Sequence, residues 1–195
     1  SDDNKMTYTV SFNIMMRQGD NTKNLLLDLQ SSVGRQLSSI TISRASIENR
    51  LAEERIYRNA TIEVLNLSEL DATSKTMLMA HVELKAEQMS VQQGNGQAIA
   101  MTNTKVKPVM AANYQLELGK LPARRVSRIS GLSLMGNNQP LDKNGNQPVD
   151  FTIELSGAEA REWHAWLQQN GKGAARREQG RLLLMAPDFK EVLYD

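Results

Sequence analysis

Asp142, Asn144 and Asn146, followed by Asp150, set oxygen-bearing side chains at alternating positions, the pattern that can converge on a calcium ion. The spacing departs from a calcium loop. Glycine falls at the fourth position instead of the sixth, and Ile153 stands at the twelfth, where a bidentate Glu belongs. Asn and Gly between prolines are equally ordinary loop chemistry. His81 and His164 lack the His-x-x-x-His or Glu-x-x-His spacing that completes a metal site, so each reads as a histidine bordering a core. No Gly-x-Ser-x-Gly elbow presents a serine nucleophile. Gly171-Lys172-Gly173 follows a helical pattern instead of opening one, and lacks phosphate-loop spacing. Asp142, Asp150 and Glu154 could serve a hydrolase as acid and base, but their spacing in the chain does not set their separation in space. The sequence therefore points away from an enzyme and offers no complete cofactor or metal motif.

Two basic clusters have two readings. Arg124, Arg125 and Arg128, and the run from Lys172 to Arg177, are either a solvated strand end and loop or a charged interface. Such an interface would face an acidic neighbouring subunit or DNA phosphates. The ten methionines are core filler or adaptable contacts. Met15 falls on the polar side of its strand, which makes it a candidate contact outside the core.

The elements that must position these residues are mostly strands. Tyr8, Val10, Phe12, Ile14 and Met16 share one face of a long strand, and Thr7, Thr9, Ser11 and Asn13 share the other. Leu25, Leu26 and Leu29 suit a short helix within 24–32. Leu37–Ser43 alternates as a strand. Ser46–Arg58 reads as a charged helix, with a long hairpin or an exposed loop as the competing reading. Ala60–Asn66 is a strand. Ser68–Asp71 reads as the start of a helical turn, with Ser68 as N-cap and Asp71 three residues on in a weaker form of the capping box. Val82–Val91 is a strand that turns at Gly94-Asn95-Gly96 and returns through 98–102. Further strands fall at Tyr114–Leu118, Val126–Met135, Phe151–Leu155, Leu182–Met185 and Glu191–Tyr194, and 136–148 is a loop. The apolar phase slips at Ser130-Gly131, the mark of a β-bulge. Ser156 and Glu159 form a capping box for a helix whose stripe is Ala160, Trp163, Trp166 and Leu167, closed by Gly171. The expected fold is a β-dominated α+β chain, a barrel or sandwich of about nine or ten antiparallel strands.

Composition bounds the function. The chain has 195 residues and a formal net charge of +1, which excludes a generally basic nucleic-acid coat. Hydrophobic residues make up 40% and charged residues 23%, so wholesale disorder is excluded. Cysteine is absent, which excludes disulfides and thiolate chemistry. No stretch approaches the ~20 apolar residues of a membrane span. The small residue at position 1 fits removal of an initiator methionine best, and also fits a mature chain whose signal has been cut off.

Residues 110–195 resemble the tail-tube protein family of contractile phage tails and related injection systems. The segments 114–118 (YQLEL) and 125–134 (RVSRISGLSL) are similar to that family's opening strands. Phe151–Leu155 running into Trp163 and Trp166 resembles its strand-then-tryptophan-helix unit, and 176–192 resembles its basic closing hairpin. Residues 59–68 are similar to a strand of phage baseplate-hub domains. The resemblance implies a single tube-like domain over 1–195, with 1–104 and 105–195 as an alternative division. It implies a non-enzymatic homo-oligomer in the virion, whose rings, usually sixfold, pair their strands into one inner barrel. Neighbouring tail or baseplate proteins and a DNA or protein cargo in the lumen would be its partners, without membrane insertion. On this reading Tyr8, Val10, Phe12 and Ile14 build the channel strand, Gly131 makes the bulge, and the Trp163/Trp166 helix braces the sheet from outside. Two other readings stand beside it: a secreted or periplasmic β-sandwich binding module, and the carboxylate hydrolase.

Overall fold

A computed structural model of the chain describes residues 6–99, 105–123, 126–135, 150–170 and 180–195. In chain order the elements are β1 (Tyr8–Met15), α1 (Asp20–Ser31), β2 (Leu37–Ala45), β3 (Leu51–Leu67), β4 (Leu70–Asp71) and β5 (Met79–Gln93). Then come β6 (Tyr114–Leu118), β7 (Val126–Ser130), β8 (Thr152–Leu155), α2 (Ala160–Asn170), β9 (Gly180–Met185) and β10 (Val192–Tyr194). The fold is β-dominated α+β, with every strand pairing antiparallel in three sheets. The largest is four-stranded, ordered β1-β5-β3-β2; the others are β10-β9-β6 and β4-β7-β8. None of the three closes into a barrel among the described residues.

The large sheet buries one face. Ile62, Leu65 and Val82 pack with Leu26, Leu29 and Val33, so α1 lies on the apolar side of this sheet. Leu26 and Leu29 turn inward at helical spacing, while Leu25 and Leu27 stay exposed. The helix ends where the Ser31 and Ser32 hydroxyls and the Ser32 amide donate to the Asp28 carbonyl, ahead of Gly34 at φ 73°. A second core joins Met16, Leu70, Leu78, Val109, Leu116, Ile129 and Leu184 between the three sheets.

The apolar parity of the large sheet slips at one level on three strands. Leu37, Ala60 and Ala86 are level with one another, and so are Ile40, Tyr57 and Met89 three residues on, yet all six pack in one cluster. Asn59 sits inside this slip at φ 51°. Ile14 is level with Ala80 of β5, whereas Ile42, through Arg55, is level with Val91. Those levels lie about eleven residues apart, roughly 36 Å along a flat strand. Both side chains nevertheless line one cavity of about 480 Å³ with Leu25 and Leu29. The sheet therefore curls toward its apolar face, and the slip keeps apolar residues inside the bend.

Several sequence expectations are corrected here. Ser46–Arg58 is not helical. Its first residues form the tight connection between β2 and β3, with Asn49 at φ 56° and the Ser46 hydroxyl accepting from the Glu48 and Arg50 amides; the rest is strand. Charges that suggested a solvated helix face pair across or along the strands instead, Arg44 and Arg55 on Glu53. Ser68–Asp71 is no helical turn either. Leu70 and Asp71 form β4 against Ile129 and Arg128, and the Ser68 hydroxyl accepts from the Met79 amide. Residues 97–99 do not return along β5. They pair with the start of β3, through Leu51 N to Gln97 O at 2.8 Å and Ile99 N to Asn49 O at 2.8 Å. Gly131 is a corner more than a bulge. At φ 74° it turns the chain out of the β7 sheet, and the next residues pair with β3 through Leu67 N to Leu132 O and Leu134 N to Leu65 O. Helix α2 begins at Ala160, later than the capping box requires, because the Ser156 carbonyl accepts the Glu159 amide in a preceding turn and Glu159 O takes the first helical bonds. Gly171, the loop 136–148, the rest of the calcium-like segment to 149, and 172–177 lie outside the described residues.

Candidate assembly surface

Strand β1 pairs along its whole length with β5, from Tyr8 opposite Ala86 to Met15 opposite Met79. Its register is fixed because a one-residue slip would turn Tyr8, Val10, Phe12 and Ile14 outward. These four are half-buried against the two apolar clusters of the sheet. Among the described residues no strand pairs with the outer edge of β1 or with the outer edge of β2. Among the described residues each edge thus leaves a row of backbone amides and carbonyls without a strand partner.

Opposite the apolar face lies a polar one. Thr9, Ser11 and Asn13 of β1 stand exposed beside Lys85, Glu83 and His81 of β5, and Thr61, Val64 and Asn66 of β3 continue the row. The His81 ring is held at both nitrogens, Nδ1 2.9 Å from Asn13 Oδ1 and Nε2 3.2 Å from Glu83 Oε1. Hydroxyl, amide and mixed-sign charged groups make this a wet, weakly adhesive surface. Met15 ends the row at Met79, both half-buried, a small apolar patch at one end of it.

Arg128 belongs elsewhere. Its guanidinium is clasped by Glu69 at 3.1 Å, Asp71 at 3.1 Å and Glu154 at 3.2 Å. Three carboxylates of its own chain answer this charge, brought close by the pairing of β4, β7 and β8, while the side chain stays 40% exposed. Asp71 also accepts from the Thr73 hydroxyl at 2.7 Å and the Thr73 amide at 2.8 Å. Those bonds, with Arg128, hold its carboxyl below the usual range. The nearby Tyr114 hydroxyl is pushed up by burial and by the Asp71 charge, and donates to Val126 O at 2.8 Å. Glu154, a candidate acid of the hydrolase reading, is thus engaged in an ion pair, and Asp150 is exposed. Arg124, Arg125 and Asp142 lie outside the described residues.

Trp163 and Trp166 form an edge-to-face pair with centroids 6.5 Å apart, both half-buried. Trp163 Nε1 donates to Pro122 O at 3.1 Å, which ties α2 to the turn after β6. Leu167, assigned to the same stripe, is 55% exposed. His164 is exposed on α2. No cluster of His, Asp and Glu that could hold a metal occurs among the described residues, and no helix among them is long and apolar enough to cross a membrane.

Sequence reasoning located β1 and its two faces but missed β2 as the matching edge and α1 as the helix on the large sheet. The alternation of Ile40 and Ile42 with Ser39, Thr41 and Ser43 was the available signal, since it repeats the pattern of β1. No family model, no curated protein and no solved structure matches the chain.

Proposed function

We propose that the chain is a structural subunit that assembles through its sheet edges into rings, stacked as the tube of a phage tail or tail-like injection system. One observation carries this reading: a four-stranded antiparallel sheet with two open edges, one polar face and one face packed by its own chain. Because the strand number is even, β1 and β2 run antiparallel to each other. The β1 of a second copy can therefore join β2 and preserve the alternation of strand direction all the way around an axis. Closure removes the edges that make an isolated sheet prone to uncontrolled pairing. Closure with the polar face inward requires each sheet to unbend from the curl it has alone, and Thr9, Ser11, Asn13, Glu83 and Lys85 would then line a channel past which DNA or protein cargo slides. Neighbouring tail or baseplate proteins would cap the stack. Six copies, the number the resemblance implies, give about 24 strands. At ~4.8 Å spacing and a tilt of about 40° the backbone circle is roughly 48 Å across. Negative-stain imaging of the purified chain tests the reading: rings or tubes with an axial channel support it, and a monomer at every concentration refutes it.

A secreted or periplasmic binding module is the second reading. The cavity of about 480 Å³ between α1 and the curled sheet, lined by Phe12, Ile14, Leu29, Ile40 and Ile42, favours it, because small-ligand pockets have this size and lining. Saturable uptake of an apolar fluorescent probe by a lasting monomer would decide for that reading.

A further inference from the structure

We infer that one register joins the copies: β1 of one chain lies antiparallel to β2 of the next with Val10 opposite Ile42 and Phe12 opposite Ile40. This rests on the assembling-subunit reading and adds to it the residues that must meet. The two edges match in polarity position by position. On β1, Tyr8, Val10 and Phe12 belong to the cluster that also holds Ile40 and Ile42 of β2, so these side chains share the apolar side of the sheet. On the other side, Thr9, Ser11 and Asn13 of β1 and Ser39, Thr41 and Ser43 of β2 are exposed.

Directly opposed residues in an antiparallel pair point to the same face. In the inferred register Ser11 therefore meets Thr41, Thr9 meets Ser43, and Asn13 meets Ser39. Val10 and Phe12 thus face isoleucines, Thr9, Ser11 and Asn13 each face a hydroxyl, and Ile14 meets Ser38 near the end of the match. Tyr8 meets Arg44, whose side chain is 70% exposed, and its ring can take the guanidinium on its face.

This register also overlaps the whole of β1 with β2, from Tyr8 opposite Arg44 to Met15 opposite Leu37. A shift of one residue sets Val10 against a polar residue and turns each strand's apolar set toward the other's polar set. A shift of two in one direction keeps Phe12 with Ile42 and Ile14 with Ile40, but sets Val10 against Arg44 and carries Tyr8 past the end of β2. The same shift in the other direction keeps Tyr8 with Ile42 and Val10 with Ile40, but sets Phe12 against Ser38 and carries Ile14 beyond the start of β2. The arriving Val10 and Phe12 also extend the wall of the cavity that Ile40 and Ile42 line, so joining covers apolar surface that a lone chain leaves open.

The chain has no cysteine, which makes disulfide trapping specific. Opposed Cα atoms lie about 4.5–5.5 Å apart, within reach of a disulfide, whereas a two-residue shift moves them to ~7–8 Å, beyond it. Three double variants share Thr41→Cys and add Ser11→Cys, Thr9→Cys or Asn13→Cys. After mild oxidation of the assembled protein, the Ser11/Thr41 variant is expected to give a ladder of covalent multimers on denaturing gels. The two displaced pairs and each single variant should give little. Assembly with a displaced pair linking best overturns the register and leaves the assembling reading standing. Failure of the unmodified chain to assemble overturns both. A charge exchange covers the case where cysteine itself disturbs the edge. Ser11→Glu or Thr41→Lys alone should weaken assembly at low salt, and the two together should restore most of it. A double variant no better than the worse single variant overturns the register.

Discussion

Gly131 is where strand β7 hands the chain to the large sheet, and Gly131→Ala measures how much that corner depends on a left-handed backbone. The residue sits at φ 74°, between Ile129, fully buried, and Leu132, 7% exposed. An added Cβ would meet no atom within 4 Å, so crowding contributes nothing. What remains is the left-handed conformation, which costs an L-residue about 1–2 kcal/mol. Alanine also restricts the unfolded chain, which offsets some ~0.4–1 kcal/mol of that cost. Gly157→Ala cancels the second effect: its Cβ also meets nothing and its φ lies outside the left-handed range. The difference between the two variants is therefore about 1–2 kcal/mol. In a chain of this size that separates their melting temperatures by roughly 2–8 °C. Gly131→Asn should fall between them, because asparagine visits this conformation more readily. Thermal melts followed by circular dichroism at matched concentration provide the assay. Equal melting temperatures for Gly131→Ala and Gly157→Ala would refute the reasoning and show that the corner relaxes into ordinary backbone.

Other perturbations reach different parts of the molecule. Ile129→Ala, at a fully buried position, should cost about 2–5 kcal/mol by chemical denaturation. Trp163→Phe keeps most of the ring but deletes the bond to Pro122 O, an expected loss of ~1 kcal/mol, and a melt unchanged from wild type would detach α2 from that turn. Gly94→Ala would bring a Cβ within 2.2 Å of Leu51 O, so faster amide exchange is expected at Leu51 and Ile99, where 97–99 is held to β3. Hydrogen bonds and neighbouring cations hold the carboxyls of Glu53, Asp71 and Asp195 below their ordinary values. Their contribution is full above the unfolded carboxylate pKa of about 4 and is lost as pH falls through the lower folded values, so melting temperature should drop below ~pH 4. Asp71→Asn should flatten that acid limb; an unaltered limb would exclude Asp71 from it.

Strands were legible wherever one face is wet. β1, β6 and β8 show their alternation directly, and α1, which has no side-chain bond at its N-cap, was visible in Leu25, Leu26 and Leu29. Legibility failed where local chemistry suits two structures. Ser68 and Asp71 have the residue types of a helix start, but Leu70 is fully buried in a bridge to Ile129, a contact nearly sixty residues away in the chain. The charges of 48–58 fit a solvated helix equally well until β2 and β5 are present to pair with them. The clasp on Arg128 was hidden for the same reason: Glu69, Asp71 and Glu154 come from strands far apart in sequence. The shared parity slip at Leu37/Ile40, Ala60/Tyr57 and Ala86/Met89 is written in the sequence, but its meaning appears only once the three strands are set level.

Sedimentation velocity of the purified, unmodified chain across a wide concentration range tests edge-to-edge self-assembly most directly. A discrete closed oligomer that gives way to monomer when Val10 and Ile42 are both changed to lysine is the expected result. A single species of 21.8 kDa throughout, indifferent to those changes, would contradict it.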